Sequence, residues 1–289
     1  MSQTKDIRIV LPANSNPQPY KWTYADIIKA AKKRTLWEVP RDVLKANLNK
    51  VYRQESVVNT ALEESNEDQL LEVLDSENVQ IPQHYGRTIL HLFGRKGKIK
   101  QIKQFVTKEN LLLKAEDGNT VLHEVARSGT LKEVQELLDP KMLKVTSLAQ
   151  FTPCHMLGFV GSFEQLGEYL TYENLSAKAT GNQTPLHIAA QYARNAHWVT
   201  DVEPIIKVHP ELLTQHSISG SVLSLMEFHN TIAAVPIGIP LKDIDMEIQF
   251  EDFLGSEWMI RNAELLKSLD AAKNKVSEQA EPNLGMDMF

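Results

Sequence analysis

Four threonines, Thr88, Thr120, Thr152 and Thr184, follow one another at intervals of 32 residues, and each stands three residues before a histidine: His91, His123, His155 and His187. The stretches around them read Gly86-Arg87-Thr88-Ile89-Leu90-His91, Gly118-Asn119-Thr120-Val121-Leu122-His123, Phe151-Thr152-Pro153-Cys154-His155 and Gly181-Asn182-Gln183-Thr184-Pro185-Leu186-His187-Ile188-Ala189-Ala190. No other feature of the chain restricts the fold as much, because a fixed period of roughly 20 to 50 residues marks a stacked repeat architecture.

Each copy should open a helix. A threonine hydroxyl can accept the free N–H groups at a helix start, and Pro153 and Pro185 fall where a missing N–H costs nothing. Nine residues after the threonines come Gly97, Gly129, Gly161 and Ala193, where the first helix ends and the chain turns back. Apolar residues then recur at intervals of three and four: Ile99, Ile102, Phe105 and Val106; Leu131, Val134, Leu137 and Leu138; Phe163, Leu166, Tyr169 and Leu170. That spacing predicts a second amphipathic helix in every copy. A unit of this size cannot bury its apolar face alone, so neighbouring helix pairs must stack.

The Thr-Pro-Leu-His-x-Ala pattern at Thr184 resembles the ankyrin repeat. The resemblance covers residues 56–235 and is sharpest at Thr184. It implies an all-α fold, an ankyrin-repeat solenoid of about six helix-turn-helix repeats with irregular helical caps at both ends. It also implies that the histidines are scaffolding, bonded to their threonines. In the family the concave surface is built from residues just before the threonine and seven or eight after it, and it binds another protein. Carried over, the partner-binding set is Tyr85, Arg87, Arg95, Lys96, Arg127, Phe151, Phe159, Val160, Gln191 and Tyr192, a basic patch passing into an aromatic one. Two readings of the aromatics stand: anchors for a partner, or core beneath one of the irregular ends. Phe93 and Leu157, in slots where the motif has alanine, imply looser packing than an ideal repeat.

Around the four clear copies, 84–115, 116–147, 148–179 and 180–215, the pattern weakens. Ser56 opens a degenerate copy without a histidine. Ser221, 37 residues after Thr184, opens another, and the five extra residues fall between Asn195 and Pro204. Residues 1–55 form an N-terminal capping region, with Ile7, Ile9 and Leu11 alternating and helices starting at Thr23 and Pro40. Residues 236–289 follow Pro236 and Pro240 as a C-terminal cap: a strand through Ile244, Met246, Ile248 and Phe250, a helix over 256–276, and a polar tail over 277–289 that should fray.

Lys and Arg number 31 against 37 Asp and Glu, a net charge of −6 that disfavours nucleic acid as the partner. Met1 to Leu11 lacks the apolar stretch of a signal peptide, and no apolar run reaches the ~20 residues of a membrane helix. The expected setting is cytoplasmic and the expected state a monomer. Cys154, the one cysteine, occupies a leucine slot and reads as a buried small hydrophobe. His197, Asp201, Glu203, His209, His216 and His229 gather near the insertion without a metal-binding motif, and neither a catalytic motif nor a cofactor fingerprint occurs, so no enzyme activity and no cofactor are expected. Two rivals remain. Val39-Pro40-Arg41-Asp42-Val43-Leu44 resembles the opening of an F-box, which would imply an adaptor recruiting ubiquitin-ligase machinery, and an enzyme activity could reside in the irregular ends. The divergent copies also resemble ankyrin effectors that intracellular bacteria deliver into a host cell cytosol.

Overall fold

The computed structural model describes residues 21–52, 55–194, 196–229, 231, 234 and 235. The expected alternation of Ile7, Ile9 and Leu11, the breaks at Pro236 and Pro240, the strand through Ile244, the 256–276 helix and the tail lie outside them. The chain is mostly helical and divides into two compact units, Met1–Val73 and Leu74–Phe289.

In the first unit Thr23 and Asp26 cap each other, the Asp26 N–H donating to the threonine hydroxyl and the Thr23 N–H to the carboxylate. This reciprocal cap starts α1 (Tyr24–Lys32), whose Ile27, Ile28 and Ala31 are buried. A short 3₁₀ turn at Leu36–Glu38 leads to α2 (Arg41–Lys45), a five-residue helix behind Pro40 with Leu44 inside. Two short strands, β1 (Val51–Tyr52) and β2 (Glu55–Ser56), pair antiparallel. Ser56 then accepts the Asn59 N–H at 3.1 Å and opens α3 (Val57–Glu63), which packs on α1 and buries Val57, Val58 and Ala61. Tyr24 fastens the hairpin to α1 by donating to the Lys50 carbonyl and accepting from the Val57 N–H. α4 (Asp68–Leu71) buries Leu70.

The second unit carries the 32-residue pattern. Thr88, Thr120, Thr152 and Thr184 are the N-caps of α5 (Ile89–Arg95), α6 (Val121–Arg127), α7 (Pro153–Val160) and, after the one-turn α8 (Tyr172–Leu175), α9 (Pro185–Tyr192). The segments that follow α5, α6 and α7 are helical as expected but wound as 3₁₀: Ile99–Phe105, Leu131–Leu137 and Phe163–Tyr169, each beginning eleven residues after its threonine. The fourth copy differs. There α10 (Trp198–Ile206) is a nine-residue α-helix starting fourteen residues after Thr184, so the additional residues are taken up where the sequence places them. A hairpin of β3 (His216–Ser217) and β4 (Gly220–Ser221) precedes α11 (Val222–Phe228).

Packing runs from copy to copy. α5 lies on α6, α6 on α7, α7 on α9 and α9 on α11, while the second segments pack on one another in the same sequence. Ile89, Leu90, Phe93, Val121, Leu122, Val125, Cys154, Leu157, Leu186 and Ala189 are buried from the first helices, with Ile99, Leu131, Phe163 and Trp198 from the second. Phe93 and Leu157, the larger side chains in alanine slots, have no exposed surface. The loops ahead of the helix starts are joined one to the next by backbone bonds: Glu116 N–H to Tyr85 O at 2.9 Å, Leu148 to Asp117 at 3.1 Å, Thr180 to Ala149 at 3.2 Å and Ile218 to Gly181 at 3.0 Å. Gly118 permits one of these close approaches. Its φ is +75°, and a Cβ there would lie 2.7 Å from the Leu148 nitrogen.

Candidate functional site

The histidines form a buried column. Each Nδ1 accepts the backbone N–H of its own threonine, at 3.1 Å for Thr88, Thr120 and Thr152 and 3.2 Å for Thr184. The threonine hydroxyl lies 2.7 to 2.9 Å from the same nitrogen. In three of the four the opposite nitrogen, Nε2, reaches a carbonyl 28 residues further on: Phe151 from His123 at 2.9 Å, Gln183 from His155 at 3.0 Å and Gln215 from His187 at 2.8 Å. A carbonyl can only accept, so Nε2 carries the proton and Nδ1 is the bare acceptor. These rings therefore tie a helix start to the chain entering the following copy. Burial holds all four well below the usual imidazole range, at about 4, and they are neutral at pH 7. Their role is structural.

The surface lies at the other end of the first helices. Seven and eight residues after the threonines come Arg95 and Lys96, Arg127 and Ser128, Phe159 and Val160, and Gln191 and Tyr192. Arg95, Lys96, Arg127, Val160 and Tyr192 are exposed; Phe151, Phe159 and Gln191 are half-buried. Tyr192 keeps 51% of its surface in solvent. The side chains make a continuous run across α6, α7 and α9. The Arg127 guanidinium sits 5.0 Å from the centre of the Phe159 ring, Phe159 lies 5.1 Å from Tyr192, and Phe151 meets Phe159 edge-on at 6.2 Å. Gln183 donates to Gln191 at 3.5 Å beside it. Arg95 and Lys96 continue the face on the α5 side. Tyr85, half exposed, and Leu148, 78% exposed, stand on the loop tips ahead of the threonines.

Arg87 departs from the expected set. Its side chain is only 19% exposed, because one terminal nitrogen bonds Asp117 at 2.7 Å and Nε faces Glu124 at 3.6 Å. A guanidinium engaged by two carboxylates inside the protein is not offered to a partner. Glu124 is the residue that sequence reasoning passed over. It occupies the slot four after the threonine, where the other copies have Leu92, Met156 and Ile188, and it is buried among Arg87, Arg95 and Arg127. Burial raises its pKa and the three arginines pull it back. A carboxylate in an otherwise apolar column was the available signal.

Removing one partner of a buried ion pair leaves the other charge uncompensated and is destabilising. Glu124→Leu is therefore expected to lower stability at pH 7 by about 1 to 3 kcal/mol, because Asp117 still holds a terminal nitrogen of Arg87 but its Nε loses the carboxylate it faces. The check is the urea midpoint of the variant, and an unchanged or raised midpoint would mean that Asp117 alone compensates the Arg87 charge.

Other groups near the insertion are structural in geometry. Asp201 accepts the Glu164 N–H at 3.3 Å, pinning α10 to the Phe163–Tyr169 segment, and burial with the neighbouring Glu164 carboxyl pushes its pKa up to about 6. His209 contacts Glu211 at 3.1 Å and its ring lies 4.3 Å from that of Tyr172. Among the described residues no three His, Cys, Asp or Glu side chains group so as to hold a metal ion. The Cys154 thiol is buried and pushed up to about 12, which keeps it protonated. No helix among the described residues is long and apolar enough to cross a membrane. Neither a protein-family model nor a curated protein matches the chain.

Proposed function

We propose that the 32-residue copies are ankyrin-type repeats stacked as a solenoid, and that the chain is a non-catalytic module binding a partner protein. The binding face is the one that carries Arg95, Lys96, Arg127, Phe151, Phe159, Val160, Gln191 and Tyr192, the concave side in the ankyrin register. What supports this reading is the run from Arg127 over Phe159 to Tyr192, with Phe151 beside it. Packing between helices gives no reason to place Tyr192, with half its surface in water, at the outer end of α9, or to leave Phe159 partly exposed beside it on α7. Aromatic anchors next to arginine are the usual composition of a binding hot spot.

The test is capture of partners from the native source by the intact chain, followed by affinity measurement with the purified partner. Phe159→Ala is expected to cost at least about 1 kcal/mol of binding, roughly fivefold in Kd, with little change in the denaturation midpoint. A variant that loses its fold while the folded remainder binds as before would show that Phe159 is core and that the face lies elsewhere.

A further inference from the structure

We propose that this face takes an extended acidic peptide segment in which one aromatic or large aliphatic residue is followed, at intervals of about three residues, by two carboxylates. The inference rests on the protein-binding reading above and specifies its partner. Three observations carry it.

The first is charge. The chain carries a net charge of −6, yet this face presents Arg95, Lys96 and Arg127 to solvent. The carboxylates nearby are committed elsewhere: Asp117 to Arg87 and Asn119, and Glu124 below the surface to the same arginines. Glu116, an exposed carboxylate, precedes α6 on the loop tip, whereas Arg127 ends that helix. Cation therefore outweighs anion on the exposed side.

The second is the separation of the two chemistries. The apolar surface of Phe159 and Tyr192 lies on α7 and α9, with Phe151 on the loop just ahead of α7; Arg127 lies one helix from Phe159 and Arg95 two. Packed helices stand about 8 to 10 Å apart, and an extended chain advances about 3.3 Å per residue. One helix step thus corresponds to about three peptide residues. An anchor seated on Tyr192, whose ring lies 5.1 Å from that of Phe159, brings a carboxylate three residues away to the Arg127 guanidinium, itself 5.0 Å from Phe159, and one six residues away to Arg95.

The third is the small number of cations. A single-stranded nucleic acid would also stack on aromatic rings, but it brings one phosphate per nucleotide and is held by a groove of many basic groups. Two exposed arginines, Arg95 and Arg127, in an acidic chain match two carboxylates better.

The experiment uses the full chain and a fluorescein-labelled peptide, Trp-Ser-Gly-Glu-Ser-Gly-Glu, its reverse, and a version of each with Gln for Glu, titrated by fluorescence polarisation. One of the two Glu peptides should bind at least tenfold more tightly than its Gln counterpart, a comparison that leaves the protein untouched. Phe159→Ala and Arg127→Gln should each weaken that peptide at least fivefold, and 0.5 M salt should remove most of the difference between Glu and Gln. Equal binding of Glu and Gln peptides would overturn the proposal, as would tighter binding of a twelve-residue oligothymidylate sensitive to the same substitutions. The two levels separate cleanly. If a captured native partner depends on Phe159 while Glu and Gln peptides bind alike, the acidic-segment proposal fails and the protein-binding reading stands; if the captured partner ignores Phe159, the reading itself fails.

Discussion

Between pH 6.5 and pH 4 the protein is expected to unfold cooperatively, with a midpoint near pH 5. The cause is the histidine column. His91, His123, His155 and His187 have at most 1% of their surface exposed. Each has a folded-state pKa of about 4 against an ordinary 6.5. A depressed imidazole of this kind contributes stability that is complete above pH 6.5 and is lost as the pH falls toward 4, because the unfolded chain takes up the proton first. At pH 5 the loss amounts to about 2 kcal/mol per ring, or on the order of 8 kcal/mol for four. Folded proteins have only about 5 to 15 kcal/mol to lose. Glu124 and Asp201 work in the opposite direction, since their raised pKa values mean that acidification relieves a cost, but two partly compensated carboxyls do not offset four imidazoles. The hydrogen-bond geometry leads to the same conclusion without any energy figure. A proton on Nδ1 would confront the threonine N–H, a donor that has no other place to turn.

Circular dichroism at 222 nm against pH would show the transition. A second arm removes one ring: His123→Gln should lower stability at pH 7, because the bonds to Thr120 and to the Phe151 carbonyl are lost, yet narrow the gap between pH 7 and pH 5 by about 2 kcal/mol. A fold that persists unchanged to pH 4 would mean that the column admits protons, and the neutral, scaffold role assigned to it would be wrong.

The column illustrates which parts of the molecule were legible in the residues. Thr88, Thr120, Thr152 and Thr184 were readable as helix starts because a cap depends on three or four neighbouring residues, and local chemistry is printed in the sequence. The same holds for Thr23 and Ser56. The second segments were legible as helical but not as 3₁₀. Apolar intervals of three and four fit both windings, and nothing in Leu131 to Leu137 separates them. Arg87 was unreadable for a different reason. Its exposure is set by Asp117, thirty residues on, and by Glu124, two contacts that the 32-residue spacing does not contain. The aromatic run was half legible: the slots of Phe159 and Tyr192 suggested an outward face, while the arginine stacked on Phe159 follows from how far α6 and α7 approach, which a spacing rule does not contain.

The approach of α7 to α9 sets the substitution with the largest expected packing effect. Gly158 lies in α7 where it packs on α9, and a Cβ built there would stand 2.6 Å from the Pro185 carbonyl oxygen and 3.0 Å from Ile188 Cβ. Two effects oppose each other in Gly158→Ala. Helix propensity favours alanine by about 1 kcal/mol. Against it, the contact to Pro185 is with backbone, which cannot swing aside as a long side chain would, so the helices must separate and the fully buried Leu157 and Leu186 lose contact. Overpacking of this sort costs about 1 to 3 kcal/mol, and here it should exceed the propensity gain. Gly158→Val adds a β-branched side chain at the same point and should cost more than alanine, enough to lower the thermal midpoint by several degrees. Gly94 supplies the control, since the Cβ at this equivalent place on α5 would meet the side chain of Val125 at 3.0 Å and the Val125 nitrogen only at 3.4 Å. A methyl group facing a side chain can be accommodated by a small rotation, so Gly94→Ala should be the milder change. Thermal denaturation of the three variants decides the matter: an order of Gly158→Val, Gly158→Ala, Gly94→Ala from least to most stable is expected, and a stabilising Gly158→Ala would show that α7 and α9 are not packed backbone against backbone.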